Sequence, residues 1–485
     1  MTTAQAGRGA GRGEPGQLVR KLSLTDSLAL VVGTIVGTGV LLKAATMTQT
    51  LGSGLAVLGA WLAAGLLTLA GALTYAELGA MMPEAGGEYV FLRAAYGDAV
   101  AFIYGWVRFT AGSGSLAALG VSFATFLLPI APLGGQWIAV QTQVAHHALR
   151  WSFGPPQLVA IAPIIVLAAV NCAGVRAGGL VQVALASIKV LAVVFIAGGV
   201  FLAARGGSWS HVTAHATGAV TASGVGTAML GALWAYSGWS YLPMAAGEIR
   251  DPGRTIPRAL ILGTVIVIGL YLAINAAYFY ALPPDAVAAA NSTRHPAAPA
   301  IAALAAGTFL HGGATRLVAF AFLVATLGTL NGGLLSNSRV PFAMARAHQF
   351  FGVFGRVGRR SHAPTWSISA FAIWASLLAT TGTYDQLSDL AVFAFLIFFA
   401  LTAAGVFVLR VRRPDAPRPY RTTGYPVVPF LYVAVTIWVI GNALVTSPAP
   451  AWTAVGFLAL GLPVYLWFRA RRASEAGDTG ATPGR

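Results

Sequence analysis

Long apolar stretches recur along almost the whole chain, and they limit the folds open to it. About twelve of them reach or approach the ~20 residues that a helix needs to cross the hydrocarbon core of a bilayer. Because a lipid-exposed backbone must satisfy its own hydrogen bonds, these stretches are predicted to be helices. The predicted spans are residues 26–46, 54–80, 97–130, 157–175, 180–204, 224–246, 258–282, 316–344, 365–382, 388–410, 427–446 and 450–469.

Composition and charge agree with a membrane protein. Of the 485 residues, 57% are hydrophobic and 9% are charged, against about 25% charged in soluble domains. The net charge of +16 would suit nucleic-acid binding, but the basic residues cluster at 356–360, 410–421 and 469–472, on one side of a twelve-span arrangement. This positive-inside bias predicts a cell-membrane protein with both termini cytoplasmic and no nucleic-acid partner.

Polar segments rich in Gly, Ala and Arg flank the apolar part of the chain. Residues 1–22 and 473–485 are predicted to be disordered cytoplasmic tails, because they hold too little apolar surface to pack a core. Residues 23–472 are predicted to form one membrane domain.

The first predicted span is weakened at its centre. Gly33 and Gly37 form a small-xxx-small pattern, which often marks close packing of membrane helices. Gly37, Thr38 and Gly39 then place two glycines around a hydroxyl residue, which disfavours a continuous helix. An interrupted helix leaves backbone groups unpaired in the bilayer, which is tolerated where they line a cavity and bind a ligand. Both interpretations fit this stretch alone.

The sixth predicted span carries a second interruption. Ser237 and Gly238 break an otherwise aromatic helix. The two interruptions are five spans apart, as expected for two five-span repeats at residues 26–204 and 224–410, followed by two further helices at 427–469. Because five is odd, the second repeat is inverted, and the broken helices are predicted to meet near the bilayer midplane.

Two such breaks would frame a pocket for a small zwitterion. Its carboxylate is predicted to meet the amides of residues 37–39, because anions bind at helix N-termini. Its ammonium group is predicted to meet carbonyl groups near Ile35, Trp234 and Ser237.

Two charged residues lie inside predicted spans. An intramembrane charge is costly and marks a functional site by default. Lys189 lies well inside span five, and snorkelling towards the interface is disfavoured by the apolar residues on both sides. Arg108 lies in span three, with Glu77 as one possible partner. Glu248 and the charges after it lie just inside span six, either as an inner gate of ion pairs or as solvated loop charges.

Several motifs together resemble the amino acid–polyamine–organocation (APC) superfamily, and one is similar to its L-type amino acid transporter branch. The resemblance extends in order from about residue 23 to 472. The motifs are "GTIVGTGVLLK", "TYAELGAMMPEAGGEYVFLRAAYGDAVAFIYGW", "WAYSGWSYLPMAAGEIRDPGRTIPRAL" and, for the L-type branch, "LRVRRPDAPRPYRTTGYPVVP".

This resemblance implies an all-α integral membrane protein of about 12 transmembrane helices. The implied architecture is a LeuT-like five-plus-five inverted repeat with helices 1 and 6 broken, plus two C-terminal helices. Trp234 matches an aromatic gate position, and Tyr241 matches a position that faces the side-chain pocket in some relatives. Substrate binding is implied for Thr34, Ile35, Gly37, Thr38, Gly39, Trp234, Ser237, Gly238 and Tyr241.

Lys189 has a specific role in the resemblance. A lysine here takes the place of a sodium ion and its amine touches the first helix, which implies transport without sodium. A buried amine is also a candidate carrier of protons. Ser336 and Asn337 in span eight are candidates to contact it.

The leading hypothesis is sodium-independent amino acid transport by alternating access, as an exchanger or a proton symporter. An apolar pocket favours a neutral or bulky L-amino acid, and neither break contains an acid. The alternatives are a cationic amino acid or polyamine permease and a transport-inactive amino acid receptor of the same fold. No enzyme activity, cofactor or metal site is expected, because the embedded Asp, Glu and His residues are few and scattered.

The cysteine content bears on partners. In the animal L-type branch, a cysteine between spans three and four links an accessory glycoprotein. The corresponding loop here, residues 131–156, contains none, and Cys172 is the single cysteine of the chain. No disulfide-linked accessory subunit is therefore expected.

Overall fold

A computed structural model describes residues 17–478, apart from positions 128–129, 132–133, 135–136, 145–146, 215–219, 293, 296, 311, 382–383 and 447. Most residues of the predicted tails, 1–16 and 479–485, lie outside the described residues. Where the tails are described, Leu22 forms a parallel β-bridge with Ile249, and the last helix continues to Asp478.

The first half of the chain contains eight described helices and one β-hairpin. They are α1 (Leu24–Ile35), α2 (Gly39–Leu51), α3 (Gly54–Met81), α4 (Glu88–Tyr96), α5 (Asp98–Leu127), β1 (Ile138–Val144), β2 (His147–Phe153), α6 (Pro155–Ala173), α7 (Val175–Ala203) and α8 (Ser210–Thr213). The antiparallel hairpin occupies most of the predicted loop at 131–156. It is the one strand pair in the described part of the chain.

The second half is helical throughout its described residues. Its α-helices are α9 (Ala222–Tyr236), α10 (Tyr241–Met244), α11 (Pro252–Ala281), α12 (Pro284–Ala288), α13 (Ile301–Gly307), α14 (Ala314–Asn337), α15 (Arg339–Arg346), α16 (Thr365–Ala379), α17 (Tyr384–Arg412), α18 (Val427–Thr446) and α19 (Pro448–Asp478). Two 3₁₀ turns lie at Ala246–Glu248 and Gly352–Gly355.

The helices confirm the prediction of an all-α multi-pass membrane protein. Ten described helical segments are long and apolar enough to cross a bilayer, and the first of these joins α1 to α2. The two remaining predicted spans fall on the interrupted pair α9–α10 and on α16, which has 15 residues. Leu, Val, Phe and Trp side chains are exposed on the outward faces of many of these helices, as lipid contact requires.

Local sequence explains where the first helix begins. The hydroxyl of Ser23 accepts a hydrogen bond from the Asp26 amide, and the Asp26 carboxylate accepts one from the Ser23 amide at 2.8 Å. This capping box satisfies donors that the first turn would otherwise leave unpaired. The residue before the cap, Leu22, lies next to Ile249, and its amide donates to the carbonyl of Glu248. The chain therefore enters α1 from a fixed position.

The two interrupted helices cross at the centre of the bundle. The first part of one packs beside the second part of the other: α1 contacts α10, and α2 contacts α9. Long helices enclose this pair, with α11 packed along α1 and α3, and α14 packed along α1, α5 and α7. The interruptions therefore lie side by side inside the protein.

Candidate functional site

Both predicted interruptions are present. The first helix stops at Ile35 and resumes at Gly39, so residues 36–38 are not helical. The second stops at Tyr236 and resumes at Tyr241. Because the two parts of each span have their own ends, backbone donors and acceptors are released at the same depth of the bundle.

Gly238 lets the two interruptions touch. Its φ is +119°, a conformation that is strained for residues with a Cβ atom. A Cβ added there would lie 2.8 Å from the backbone carbon and oxygen of Thr34. The hydroxyl of Thr34 lies 3.0 Å from the Gly238 carbonyl oxygen, which ties the break of one helix to that of the other.

A tyrosine that the sequence analysis did not identify joins the breaks from outside. The hydroxyl of Tyr271 in α11 lies 2.7 Å from the carbonyl oxygen of Ile35 and 2.9 Å from that of Ala235. These carbonyls belong to the ends of α1 and α9, where helical acceptors lack their usual donors. One buried hydroxyl therefore serves both helix ends.

A cavity of about 100 Å³ lies at the breaks. All nine residues predicted to bind substrate contribute to its lining: Thr34, Ile35, Gly37, Thr38, Gly39, Trp234, Ser237, Gly238 and Tyr241. Further lining residues come from α5, α14 and α17, among them Arg108, Ser115, Thr329, Phe395, Leu396 and Phe399. Their convergence is a feature of the structure, whereas substrate binding by the nine residues stays a prediction.

Backbone N–H groups lie on one side of the cavity and backbone carbonyl groups on the other. The first amides of α2, which begins at Gly39, lack acceptors within the helix, and such a helix N-terminus favours a nearby anionic group. On the other side, the Trp234 carbonyl already accepts from the amide and hydroxyl of Ser237, at 3.1 and 2.7 Å. The Ile35 carbonyl accepts from one hydroxyl and has a second lone pair. An ammonium group therefore finds Ile35, rather than Trp234, with acceptor capacity.

Lys189 contacts the first helix directly. It is 2% exposed, and its ammonium group donates to the Gly33 carbonyl at 2.6 Å and to the Thr329 hydroxyl at 3.1 Å. A Cβ at Gly328 would lie 2.6 Å from the lysine Cε, so this glycine provides the space for the side chain. One cation thus joins α7 to α1 and α14, one turn before the break in α1.

The expected contacts of Lys189 with Ser336 and Asn337 are wrong. Thr329, two turns earlier on α14, takes that place. The Ser336 hydroxyl and the Asn337 side-chain amide are buried and have no hydrogen-bond partner among the described residues.

The partner suggested for Arg108 is also wrong. Arg108 pairs with Glu88 of α4, at 3.3 Å, and its Nε donates to the Tyr104 hydroxyl at 3.0 Å. Glu77 instead pairs with Arg410 and Arg418, at 2.7 and 3.3 Å. Burial raises the pKa of the Glu88 carboxyl, and the Arg108 guanidinium opposes this effect. The ion pair thus favours the charged form of a carboxyl group that has no contact with water.

Glu248 forms a closed ion pair beyond the second break. Its carboxylate accepts from Nε and Nη2 of Arg339 at 2.8 and 2.9 Å, and both side chains are fully buried. The carbonyl of the same glutamate pairs with the backbone at Leu22. The N-terminal segment, the end of span six and α15 are therefore held together on one face of the bundle.

Comparison with known proteins identifies the family. The amino acid permease family matches residues 22–460. The chain belongs to this family. It is 31% identical to the serine/threonine exchanger SteT of Bacillus subtilis (strain 168), over 95% of this chain and 99% of that protein. It is 26% identical to the b(0,+)-type amino acid transporter 1 of Homo sapiens, over 93% of this chain and 88% of that protein.

A further relative is the large neutral amino acids transporter small subunit 2 of Oryctolagus cuniculus, 26% identical over 92% of this chain and 80% of that protein. These relatives confirm the predicted membership of the APC superfamily and the predicted function of transmembrane amino acid transport. The family and these relatives are transporters, and no enzyme is among them. The permease therefore has an amino acid substrate and lies in a membrane.

Proposed function

We propose that this permease exchanges neutral L-amino acids across the cell membrane without sodium, by alternating access around the cavity at the two breaks. The proposal includes cytoplasmic termini and transport without a disulfide-linked subunit. The protein would rock or gate around this fixed site, as secondary transporters with broken helices do. The main support for the proposal is the pair of hydrogen bonds from the Lys189 ammonium group to Gly33 and Thr329.

The position of Lys189 supports independence from sodium. A cation site in this part of the bundle needs oxygen ligands from α1 and α14, and the ammonium group uses the Gly33 carbonyl and the Thr329 hydroxyl. An ammonium group attached to the chain supplies a positive charge at this position without binding an ion from solution. No sodium gradient would then drive transport, and exchange of one amino acid for another needs none.

The cavity supports a neutral amino acid substrate. Its backbone amides suit a carboxylate and its backbone carbonyls an ammonium group, as in other secondary transporters. The remaining lining is largely apolar, including Leu119, Leu233, Phe395, Leu396 and Phe399. One relative carries the name serine/threonine exchanger, and another is named for large neutral amino acids.

Counterflow in proteoliposomes tests the proposal. Purified permease is reconstituted in sodium-free buffer, and uptake of labelled serine, alanine, leucine and lysine is compared in vesicles loaded with unlabelled amino acid and in empty vesicles. Uptake of neutral amino acids into loaded vesicles only is the expected result.

Three other results would each reject part of the proposal. Uptake into empty vesicles that requires an inward proton gradient would replace exchange by proton symport, with Lys189 as the first residue to examine. Uptake of lysine alone would replace it by a cationic amino acid permease. Saturable binding without any flux would replace it by a receptor.

A further inference from the structure

The wall of the cavity that α5 contributes contains a positively charged side chain. Arg108 of α5 is the one charged side chain among the described lining residues. It is 1% exposed, so its charge is shielded by protein rather than by water. The described lining contains no carboxylate that would face a cationic side chain of a substrate.

Neighbouring groups hold this guanidinium rigidly. Glu88 and the Tyr104 hydroxyl bind it on one side. Its central carbon lies 4.1 Å from the ring centre of Phe395 and 5.5 Å from that of Tyr241, both of which line the cavity. Because stacking and ion pairing fix the plane of the group, its remaining N–H bonds have a fixed direction as well.

Donor capacity remains at this end of the cavity. Nε and Nη2 of Arg108 make its hydrogen bonds, and Nη1 makes none with a described residue. Ser240 also lines the cavity, and its buried hydroxyl lies against the Glu88 carboxylate, where it helps to lower the pKa of that carboxyl. The Nη1 group of Arg108 is therefore the donor that this wall offers to a ligand.

We propose that Arg108, held by Glu88 and Tyr104, forms a subsite that selects the substrate side chain. The subsite accepts a neutral side chain with a hydrogen-bond acceptor, namely a hydroxyl or an amide, and excludes cationic amino acids and polyamines. This deepens the proposed function and rests on it, because the cavity must be the transport site.

The charges explain why both cationic and anionic side chains are disfavoured. A cationic side chain would meet the guanidinium in a medium of low dielectric constant, where like charges repel strongly. An anionic side chain would bring a second carboxylate to an arginine that already pairs with Glu88. A neutral acceptor avoids both costs and receives a charge-assisted hydrogen bond, which is roughly twice as strong as a neutral one.

The test compares substrates within each variant. The double substitution Glu88→Gln with Arg108→Gln removes both charges together, so that neither charge is left buried alone. Serine and lysine uptake are each expressed relative to alanine uptake in counterflow, as ratios of kcat/KM. We expect the serine ratio to fall about tenfold, the effect of losing one hydrogen bond of this kind, and the lysine ratio to rise, because the repelling charge is gone.

Two further variants separate selection from folding. The matched control is Arg93→Gln with Asp98→Asn, which removes an exposed ion pair at 2.7 Å and should leave both ratios unchanged. Arg108→Lys keeps the charge but loses the planar donor group, so it should keep lysine excluded and lower the serine ratio. Should the double variant fail to fold in detergent, this single variant decides the question through the serine ratio.

The outcomes distinguish this proposal from the proposed function. Unchanged serine and lysine ratios in a folded, active double variant would overturn the subsite. Absence of transport by the unmodified permease would reject the proposed function instead. In that case the binding of serine, lysine and alanine would be measured instead, as dissociation constants derived from the rise in melting temperature that each amino acid causes. Equal rises before and after substitution would overturn the subsite.

Discussion

Replacing Lys189 by alanine is expected to lower amino acid exchange in sodium-free buffer about 100-fold or more. The substitution removes two hydrogen bonds of a charged donor, to Gly33 and Thr329, each worth about 1.5–3 kcal/mol, and tenfold in rate corresponds to about 1.4 kcal/mol. It also leaves the Gly33 carbonyl buried next to the break in α1. The initial rate of counterflow at equal protein content measures the effect.

The control for this prediction is Lys21→Ala, because Lys21 is exposed and contributes its backbone amide, rather than its side chain, to the pairing near Ile249. It should exchange amino acids at the unmodified rate. Full activity of the Lys189→Ala variant in the absence of sodium would show that the ammonium group is dispensable, and the role proposed for it would have to be abandoned.

Replacing Gly238 by alanine is expected to abolish exchange and to lower the melting temperature in detergent. The added Cβ would lie 2.8 Å from backbone atoms of Thr34, and backbone, unlike the end of a flexible side chain, does not move aside cheaply. A φ of +119° is sparsely populated by residues with a Cβ atom and costs them about 1–3 kcal/mol of strain. The two breaks would be forced apart at the place where they frame the cavity.

Gly269 provides the matched control for the same substitution. It lies in α11, and a Cβ at this position would have no neighbour within 4 Å. Alanine is the better helix former by about 1 kcal/mol, so Gly269→Ala should retain transport and stability. A Gly238→Ala variant that transports as well as the Gly269→Ala variant would contradict the close approach of the two helices.

The sequence predicted the breaks because they depend on local chemistry. Glycine and hydroxyl residues inside an apolar stretch disfavour a continuous helix wherever the helix packs. The five-span separation then predicted that both breaks would meet, and the lining of the cavity agrees with that geometry. Lys189 was identified for a similar reason, since a charge far from either interface must find a partner inside the protein.

The predicted contacts of Lys189 and Arg108 were wrong because they depend on the depth of helices in the bundle and on residues far apart in the sequence. Thr329 and Ser336 are seven residues apart, so they share one face of α14 but differ in depth by about 10 Å. Sequence gives the face of a helix, whereas the depth follows from how α14 packs against α7. The ion pair between Glu77 and Arg410 joins positions 333 residues apart, which no local pattern connects.

Tyr271 shows a third limit. It lies within an apolar helix, where a tyrosine ring is unremarkable, and its hydroxyl matters only because two helix ends meet it. A search of the neighbouring span for buried hydroxyl groups at the depth of the breaks would have found it. Such a search requires the relative depth of the helices, which the sequence pattern leaves open.

The Lys189 ammonium group is proposed to replace a co-transported cation, and the sodium dependence of exchange tests this role most directly. Counterflow of a labelled neutral amino acid into loaded proteoliposomes is measured in sodium-containing buffer and in buffer where choline replaces sodium. We predict equal initial rates and equal KM values in the two buffers. A rate that requires sodium, or a KM that falls as sodium rises, would contradict the claim.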